Sequence, residues 1–280
     1  KNFQISQYEL PLAEDGFVEI KTDHDGLKKI RIKRIHLEED AGKLLHAIGS
    51  RELDHTLVDY NRAGFPLMEI VTEPDISSPQ EAWEYLVNLK NILEYAGVSE
   101  CNMEEGKFRC DANVSVRPVG ERRLGTKTEL KNMNSMKGVR DALMYEIERQ
   151  TEILSSRGEV IQETRLWDAD TLATRSMRSK EEAHDYRYFP EPDLPPLDLS
   201  DEFIEKIRRE LPELPDKKRR RFLKEYKLSE YDISVLTSDK NLADYFEKAA
   251  SCLTDKSRQS YKLLANWTIN DMLGRYNAAI

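Results

Sequence analysis

The sequence is poor in cysteine and contains no long apolar segment. Its 280 residues include three cysteines, Cys101, Cys110 and Cys252, without a CxxC pair, which argues against a disulfide framework and against a zinc site within these residues. No apolar run approaches the ~20 residues that a membrane-spanning helix needs, and the first residues lack the character of a targeting signal. We therefore expect no membrane partner and a cytoplasmic location, or an organellar matrix if the source is eukaryotic.

Several common nucleotide-binding and hydrolase motifs are also missing. The chain has no GxxxxGK[ST] phosphate loop, no GxGxxG, no HExxH and no GxSxG, so P-loop, dinucleotide-binding and hydrolase interpretations are weak. Four scattered histidines are interpreted as surface or packing residues: His24, His46, His55 and His184. The formal net charge of −9 disfavours nonspecific coating of nucleic acid but allows a local basic patch.

What the sequence does contain, up to about residue 190, is a series of strand patterns and two strong helix patterns. Strands are predicted at 18–22, 29–37, 67–72, 108–117, 126–133 and 160–167. One helix is predicted from the capping box at 78–81 to Gly97, and a second from near Ser135 to Gly158. Strands separated by long connections, with only two good helices, indicate an α+β fold with a largely antiparallel sheet rather than a doubly wound fold.

A proline-rich segment at 189–197 marks the predicted domain boundary, because it can be neither helix nor central strand. Beyond it, apolar side chains recur at helical spacing, which predicts a small all-α bundle with short connections. The predicted domains are therefore residues 1–197 and residues 198–280.

The strand predicted at 108–117 carries the densest functional signal. One face is apolar, and the other bears Arg109, Asp111, Asn113, Ser115 and Arg117. Short hydrogen-bonding groups framed by two guanidiniums suit a phosphate or a metal–phosphate complex. The alternative is a solvated strand face, which is the more common meaning of any one such strand.

Two further segments are rich in carboxylates. In the stretch 36–43, His36 precedes Glu38, Glu39 and Asp40, and this mixture of an imidazole and hard oxygen ligands suits Mg²⁺. An exposed acidic turn is the alternative, and it is favoured if this segment is taken alone. In the stretch 59–75, Asn61 and Arg62 precede a glycine turn, and Glu69 and Glu73 share a strand face with aliphatic residues. A carboxylate among aliphatic side chains is costly unless it is paired or metal-bound; an edge strand with surface glutamates is the equally weighted alternative.

The stretch 125–135 combines lysines with the start of a helix. Lys127, Glu129 and Lys131 alternate onto one strand face ahead of the second predicted helix. Lysines near a helix N-terminus favour an anion site, and a cross-strand salt-bridge ladder is the alternative.

A last segment, 175–193, places acidic, tyrosine and arginine side chains beside the proline-rich loop. It is either the wall of a site or an interdomain linker.

Together these segments resemble a known family, the B subunits of tRNA-dependent amidotransferases. The resemblance rests on QISQY (4–8), HLEEDAGK (36–43), DYNRAGFPLMEIVTEPD (59–75), RCDANVSVRP (109–118), ELKNMNS (129–135) and YRYFPEPDLPPL (186–197). It covers essentially the whole chain. It implies a cradle-shaped catalytic domain of the glutamine synthetase or guanido-kinase-like type, followed by a helical domain.

The resemblance also implies a reaction and its partners. The B subunit would use ATP and Mg²⁺ to activate the side-chain carboxylate of misacylated Glu-tRNA(Gln) or Asp-tRNA(Asn), and would amidate it with ammonia from the A subunit of the same complex. A third and smaller protein, the C subunit, would strap the other two together. A stand-alone ATP-dependent carboxylate–amine ligase and a noncatalytic tRNA-binding scaffold are the alternative functions.

The resemblance further predicts what lies outside this chain. A segment with a Glu-x-His metal-ligand motif and zinc-binding cysteines is expected before Lys1, and a tail domain is expected after Ile280. The archaeal variant has an additional inserted domain, and its absence near 197–205 favours the bacterial or organellar type.

Roles carried onto this chain by the resemblance are hypotheses for individual residues. Metal ligands are expected to be His36, Glu38 and Glu39. Residues expected to bind or order the nucleotide are Asn61, Arg62, Arg109, Asp111, Asn113 and Arg117. Residues expected to act in catalysis are Lys127, Lys131, Glu69, Glu73 and Glu191. The basic run expected to contact tRNA phosphates is Lys217, Lys218, Arg219, Arg220 and Arg221, for which a solvated helix face is the alternative.

Overall fold

The computed structural model describes residues 5–22, 26–48, 51–177, 191 and 193–275, which form a mixed α/β structure. The strands are β1 (Ala13–Lys21), β2 (Leu27–Glu39), β3 (Lys43–Ile48), β4 (Arg51–Asp59), β5 (Pro66–Thr72), β6 (Ala112–Val114), β7 (Thr128–Lys131), β8 (Thr164–Asp168) and β9 (Ala173–Ser176). The helices are α1 (Pro79–Tyr95), α2 (Met136–Ser155), α3 (Asp201–Glu210), α4 (Pro215–Tyr226), α5 (Glu230–Leu236), α6 (Lys240–Ser251) and α7 (Arg258–Asn266), and a π-helical turn (Trp267–Met272) follows. No helix in these described ranges is long and apolar enough to cross a bilayer.

The chain divides into two compact units. The first contains residues 1–85, 110–133 and 137–198, and the second contains residues 86–109, 134–136 and 199–280. All nine described strands belong to the first unit, and helices α3 to α7 belong to the second. The division into domains 1–197 and 198–280 stays a prediction.

A three-stranded antiparallel sheet in the order β1-β2-β5 begins the first unit. Val18 pairs with Ile30 across β1 and β2, and both side chains are buried, as is Ile32. This sheet confirms the antiparallel pairing expected from the sequence, because β2 pairs antiparallel with both neighbours.

The hairpin of β3 and β4 was not expected. No strand was predicted between residues 37 and 67. The stretch 36–43 was interpreted as the end of a strand that enters a turn, and β2 does end at Glu39. The chain then forms two paired strands, with Lys43 opposite Asp59 and Leu44 opposite Val58. Neither KLLHAI nor RELDHTLVD shows a clean apolar alternation, so the pairing could not be inferred from one strand alone.

A four-stranded sheet in the order β6-β7-β8-β9 completes the first unit. Strands β7 and β8 are parallel, and the other two pairs are antiparallel. The strand predicted at 108–117 is shorter than expected, because only Ala112–Val114 have ladder partners on β7. The expected alternation still holds on either side of Val114, which is buried, whereas Asp111, Asn113 and Arg117 are exposed.

Helix α2 joins β7 to β8 and carries a buried polar pair, Glu146 and Gln150, whose side chains are fully buried. The Gln150 amide accepts a hydrogen bond from the Val116 N–H (3.1 Å) and donates to Val114 O (3.3 Å), Thr128 Oγ1 (3.3 Å) and Glu146 (3.0 Å). It therefore satisfies backbone groups of the chain at Val114 and Val116, where the β6–β7 ladder ends.

Glycine is required at position 125, where the chain returns from the loop 117–124. A Cβ at this position would lie 2.2 Å from the carbonyl oxygen of Val116. Because that atom belongs to the backbone, no side-chain rotation could relieve the clash. Any other residue at position 125 would displace the chain at Val116.

The predicted helix boundaries are confirmed. Ser78 accepts a hydrogen bond from the Glu81 N–H (3.1 Å), and the Glu81 carboxylate accepts one from the Ser77 N–H (2.7 Å). This is a variant of the capping box in which the reciprocal bond reaches the residue before the N-cap. Helix α1 ends before Gly97, which adopts a positive φ of 71°. In the second unit, hydroxyl or carboxylate N-caps begin four of the helices: Ser200, Ser229, Asp239 and Ser257.

The core of the second unit is aromatic. Phe222 and Phe246 are fully buried, and Tyr226 packs edge-on against both, with ring centroids 5.0 and 5.1 Å apart. Tyr261 of α7 adds a further edge-on contact to Tyr226 at 4.9 Å. The helical bundle predicted after the proline-rich segment is thus organised around rings from α4, α6 and α7.

Candidate metal and phosphate site

The buried face of β2 changes from aliphatic to polar along the strand. Ile30 and Ile32 are buried on this face, and the next residues on it are Arg34, His36 and Glu38. The register between β2 and β5 shifts between Ile32 and Arg34, immediately before the polar residues. Irregularities of this kind bend a strand and redirect its side chains. This one lies where the side chains on the buried face change from aliphatic to polar.

Three polar side chains meet at this end of the sheet. His36 lies opposite Glu69 of β5, and its Nε2 atom is 2.9 Å from Oε2 of Glu69 and 3.6 Å from Oε2 of Glu38. One ligand atom from each of His36, Glu38 and Glu69 lies within 4.8 Å of the other two. We call these three residues the metal group, since one imidazole and two carboxylates at this spacing suit a divalent cation.

The state of His36 favours ligation. Its side chain has no exposed surface, and burial, helped by the charge of Arg34 and opposed by Glu69, lowers its pKa. The ring is therefore neutral near pH 7 and keeps a lone pair for a metal. Although Nε2 is close to Glu69, neither ring nitrogen has a partner in hydrogen-bond geometry within the described residues. Buried polar atoms rarely stay unpaired unless an ion or ligand satisfies them, so these residues fit a bound cation.

Three residues near the metal group were missed as site residues. Ser6 pairs with Glu38 by an isolated antiparallel bridge, which places Ser6, and Tyr8 two residues later, on the polar face of the sheet. The guanidinium of Arg34 stacks on the Tyr8 ring, with Cζ 4.3 Å from the centroid. Alternation along 34–38 could have identified Arg34, whereas nothing in the sequence says that the segment near Ser6 pairs with β2.

The structure separates two residues that were expected to act together. Glu38 shares the buried face with His36, but Glu39 is the next residue along the strand and lies on the other face. Glu69 takes the third place in the metal group instead. Glu73 follows β5, and its backbone N–H donates to Arg31 O at 2.9 Å.

The stretches 36–43 and 59–75 are brought together beyond the strand ends. Arg62 Nε lies 3.1 Å from Oδ2 of Asp40, and the Gly64 N–H donates to Asp40 O at 2.9 Å, with Gly64 at a φ of 77°. Asn61 donates from both its backbone and its side chain to Asp59 Oδ1, at 2.9 and 2.6 Å. Asn61 and Arg62 are thus engaged with nearby acids, and their roles in nucleotide binding stay predictions.

A second polar group lies on the face of the β6–β9 sheet opposite α2. Lys131 Nζ is 2.5 Å from Asp111 and 3.2 Å from Glu129, and Thr164 Oγ1 donates to Glu129 at 2.8 Å. Burial would lower the pKa of Lys131, but its contacts to the two acids outweigh that effect and raise it. Lys131 therefore stays charged, and the exposed Asn113 of β6 lies opposite its partner Glu129. The contact between Lys131 and Asp111 is the cross-strand salt bridge that the sequence offered as the alternative, and the anion site stays a prediction.

The remaining predicted residues are not gathered at either group by the contacts described. Arg117 donates to Arg122 O at 2.6 Å within its own loop, and Lys127 is exposed. Arg109 is exposed and belongs to the second unit, and Glu191 is partly buried in the first. The aromatic and acidic residues at 185–190, which were considered as a site wall, lie outside the described residues.

Three of the five residues in the basic run on α4 form ion pairs with acidic side chains. Lys218 is buried and lies 2.5 Å from Asp244, Arg219 pairs with Asp216 at 3.1 Å, and Arg221 pairs with Glu213 at 2.6 Å. Lys217 and Arg220 are exposed. Helical spacing places these two on one side of α4 with the exposed Lys224, so only part of the predicted basic run faces solvent.

Residues 1–205 match the family model described as the GatB/GatE catalytic domain, and the chain belongs to this family. Similar proteins include the B subunit of the aspartyl/glutamyl-tRNA(Asn/Gln) amidotransferase of Carboxydothermus hydrogenoformans, which is 57% identical over 279 residues, covering 100% of this chain and 57% of the relative.

Two further relatives carry the same name. The protein of Caldanaerobacter subterraneus is 57% identical over 271 residues, covering 97% of this chain and 55% of the relative. That of Persephonella marina is 54% identical over 277 residues, covering 99% and 56%. The chain therefore spans about half the length of the curated relatives that it matches.

Proposed function

We propose that the protein containing this chain is the B subunit of a tRNA-dependent amidotransferase. It would activate the side-chain carboxylate of Glu-tRNA(Gln) or Asp-tRNA(Asn) with ATP and amidate it with ammonia, which the A subunit would supply; the C subunit would be the third member of the complex. The observation that carries this proposal is the 57% identity to named B subunits along the entire chain. The cradle-type fold of the catalytic domain and a cytoplasmic location are part of the same proposal.

The metal group gives this proposal a physical basis. His36, Glu38 and Glu69 would hold Mg²⁺, which would offset negative charge on the phosphates of ATP. The neutral imidazole and two carboxylates supply the donor set, and β2 and β5 fix their positions on adjacent paired strands. Lys131, held by Asp111 and Glu129, supplies a fixed positive charge that suits phosphate or acyl-phosphate oxygens.

The overall reaction can be tested in the complex assembled from the three full-length proteins. Phosphate release from ATP should require Glu-tRNA(Gln) or Asp-tRNA(Asn) as well as Mg²⁺. Release without tRNA, on a small carboxylic acid, would favour a stand-alone carboxylate–amine ligase. Binding of tRNA without any ATP consumption would favour a noncatalytic scaffold.

Substitution of Glu38 by glutamine tests the metal group. We expect E38Q to reduce tRNA-dependent ATP consumption by at least about a hundredfold, the scale on which electrostatic groups in active sites act, while the release of ammonia from glutamine by the glutaminase partner continues. Glu39→Gln is the matched control, since Glu39 neighbours Glu38 but lies on the other strand face. Equal losses in E38Q and E39Q would contradict the assignment of Glu38 to the metal group in preference to Glu39.

The exposed side of α4 is proposed to contact tRNA phosphates. Replacing Lys217, Arg220 and Lys224 by glutamine should weaken tRNA binding and reduce the slope of log affinity against log salt by about 2 to 3, as expected for three lost phosphate contacts. A variant with arginine at 217 and 224 keeps the charge and should bind normally. An unchanged salt slope in the glutamine variant would rule out this surface.

A further inference from the structure

Arg34 lies on the polar face of β2, and its guanidinium has a buried N–H donor that no described residue satisfies. Its Nε atom is buried and has no hydrogen-bond partner in the described ranges, and the same is true of Ser6 Oγ and of both ring nitrogens of His36. Burying a charged donor without a partner is costly. Several unpaired polar atoms on one sheet face indicate that a polar ligand binds there.

Tyr8 fixes the guanidinium beside the metal group. One face of its ring lies 4.3 Å from Arg34 Cζ, and the ring also meets the imidazole of His36 edge-on, with centroids 6.1 Å apart. Stacking on an aromatic ring orients a guanidinium while leaving its edge N–H groups available. Arg34 and His36 thus flank one ring.

The positive charge of Arg34 lies close to a group of residues that suits a cation. A guanidinium close to a cation-binding group weakens cation binding by Coulomb repulsion, unless an anion binds to both. Its planar set of N–H donors matches two oxygens of a phosphoryl group. A phosphoryl group bound between Arg34 and a divalent cation would satisfy the buried donors and also compensate the repulsion.

We propose that Arg34 is an anion-binding residue that contacts the phosphoryl group shared with the cation of the metal group, with Ser6 Oγ as an additional donor. The inference rests on the function proposed above, because that function brings a triphosphate and Mg²⁺ to His36, Glu38 and Glu69. It assigns the phosphoryl contact beside the metal group to Arg34 of β2, rather than to Lys131 of the second polar group.

Arg34→Met and Arg34→Lys, made in the full-length protein within its complex, test this assignment. The probes are Mn²⁺ alone, β,γ-imido-ATP with Mn²⁺, and inorganic phosphate, each titrated by calorimetry. R34M should weaken binding of the imido-ATP complex by about ten- to hundredfold, the loss of charge-assisted hydrogen bonds, while affinity for Mn²⁺ alone stays equal or rises. R34K should lose less, because it keeps the charge without the planar donor set. Weaker phosphate binding as well would assign Arg34 to the transferred group, and an effect on imido-ATP alone would assign it to the nucleotide.

Arg31→Met is the matched control, because Arg31 lies on the opposite face of the same strand and pairs with Asp75 at 2.7 Å. Equal nucleotide affinity in R34M and R31M would overturn the proposal. A parallel loss of Mn²⁺ affinity and melting temperature in R34M, with normal nucleotide binding by R34K, would also overturn it in favour of a structural role. If the wild-type protein bound no Mn²⁺ but R34M still weakened imido-ATP binding, the result would support the anion-binding role of Arg34. It would contradict the proposal that the metal group binds a cation.

Discussion

Replacing Glu146 by leucine is expected to destabilise the β6–β9 region by about 3 to 5 kcal/mol, the usual effect of removing one member of a buried charged network. The Glu146 carboxylate is fully buried and accepts hydrogen bonds from Arg149 at 2.6 and 2.9 Å and from Gln150 at 3.0 Å. It also lies 3.6 Å from Arg165 of β8 and accepts from Thr174 of β9 at 3.3 Å. Leucine would fill most of the volume but leave these donors without an acceptor.

Hydrogen exchange measured by mass spectrometry on the full-length protein reports this region separately from the rest. Amides of α2 and β6 to β9 should exchange more than about a hundredfold faster in E146L, since 1.4 kcal/mol corresponds to a factor of ten. Glu148→Leu is the control, because Glu148 is exposed on the same helix. Unchanged protection in E146L would mean that the network contributes specificity rather than stability.

The same network makes part of the wild-type protein's folding stability sensitive to acid. Burial would raise the pKa of Glu146, but the hydrogen bonds from Arg149 and Gln150 outweigh it and lower the pKa. The unfolded chain therefore binds the proton of this carboxyl group more readily than the folded chain does. The stabilisation by ionised Glu146 is fully present above the ordinary carboxyl pKa of about 4.3, and it is lost as the pH falls through the pKa of Glu146 in the folded protein. E146L should lack this part of the pH dependence.

Truncation of Phe246 to alanine is expected to lower the free energy of unfolding of the helical unit by about 3 to 5 kcal/mol, the range for buried phenylalanines. Phe246 is fully buried and contacts the rings of Phe222 and Tyr226, with centroids 5.7 and 5.1 Å away. Removing it would open a cavity bounded by aromatic rings, and rigid neighbours of this kind collapse poorly into the space.

The adjacent tyrosine supplies the control for this second change. Tyr245 is 45% exposed, so Y245A should cost less than about 1 kcal/mol. Exchange protection of amides in α4 to α7 should fall strongly in F246A and little in Y245A. Similar losses in both variants would show that burial in the aromatic core does not set the stability of this unit.

The sequence predicted the elements whose signals are local. The capping box at 78–81, Gly97 after α1 and the period of the second helix each depend on residues within a few positions of one another, and all were confirmed. The β3–β4 hairpin was missed because its strands are recognisable only as a pair. The length of β6 was overestimated because ladder length depends on the partner strand, and β7 supplies partners for three residues.

The candidate site followed the same division. The sequence prediction grouped His36 with both Glu38 and Glu39, which were expected to lie beyond a strand ending at residue 37. Only the continuation of β2 to Glu39 and its register with β5 could select Glu69 over Glu39 as the third residue. The pairing of Ser6 with Glu38 joins residues far apart in the chain, and local periodicity carries no information about it. The basic run on α4 shows a related limit, since the acids that engage Lys218 come from α6.

Gly125 and Gln150 have a joint consequence for the backbone at Val116. The carbonyl oxygen of Val116 touches the space that a side chain at 125 would occupy, and its N–H is bound by Gln150. Length changes in the exposed loop 117–124 can therefore be absorbed between these anchors, whereas any side chain at position 125 would push on the carbonyl group of Val116, a residue whose N–H is bound by a buried side chain. A substitution at position 125 would therefore first disturb the hydrogen bond between Val116 and the Gln150 side chain of α2. Its effect would be a loss of folding stability, although the substituted residue lies in a loop.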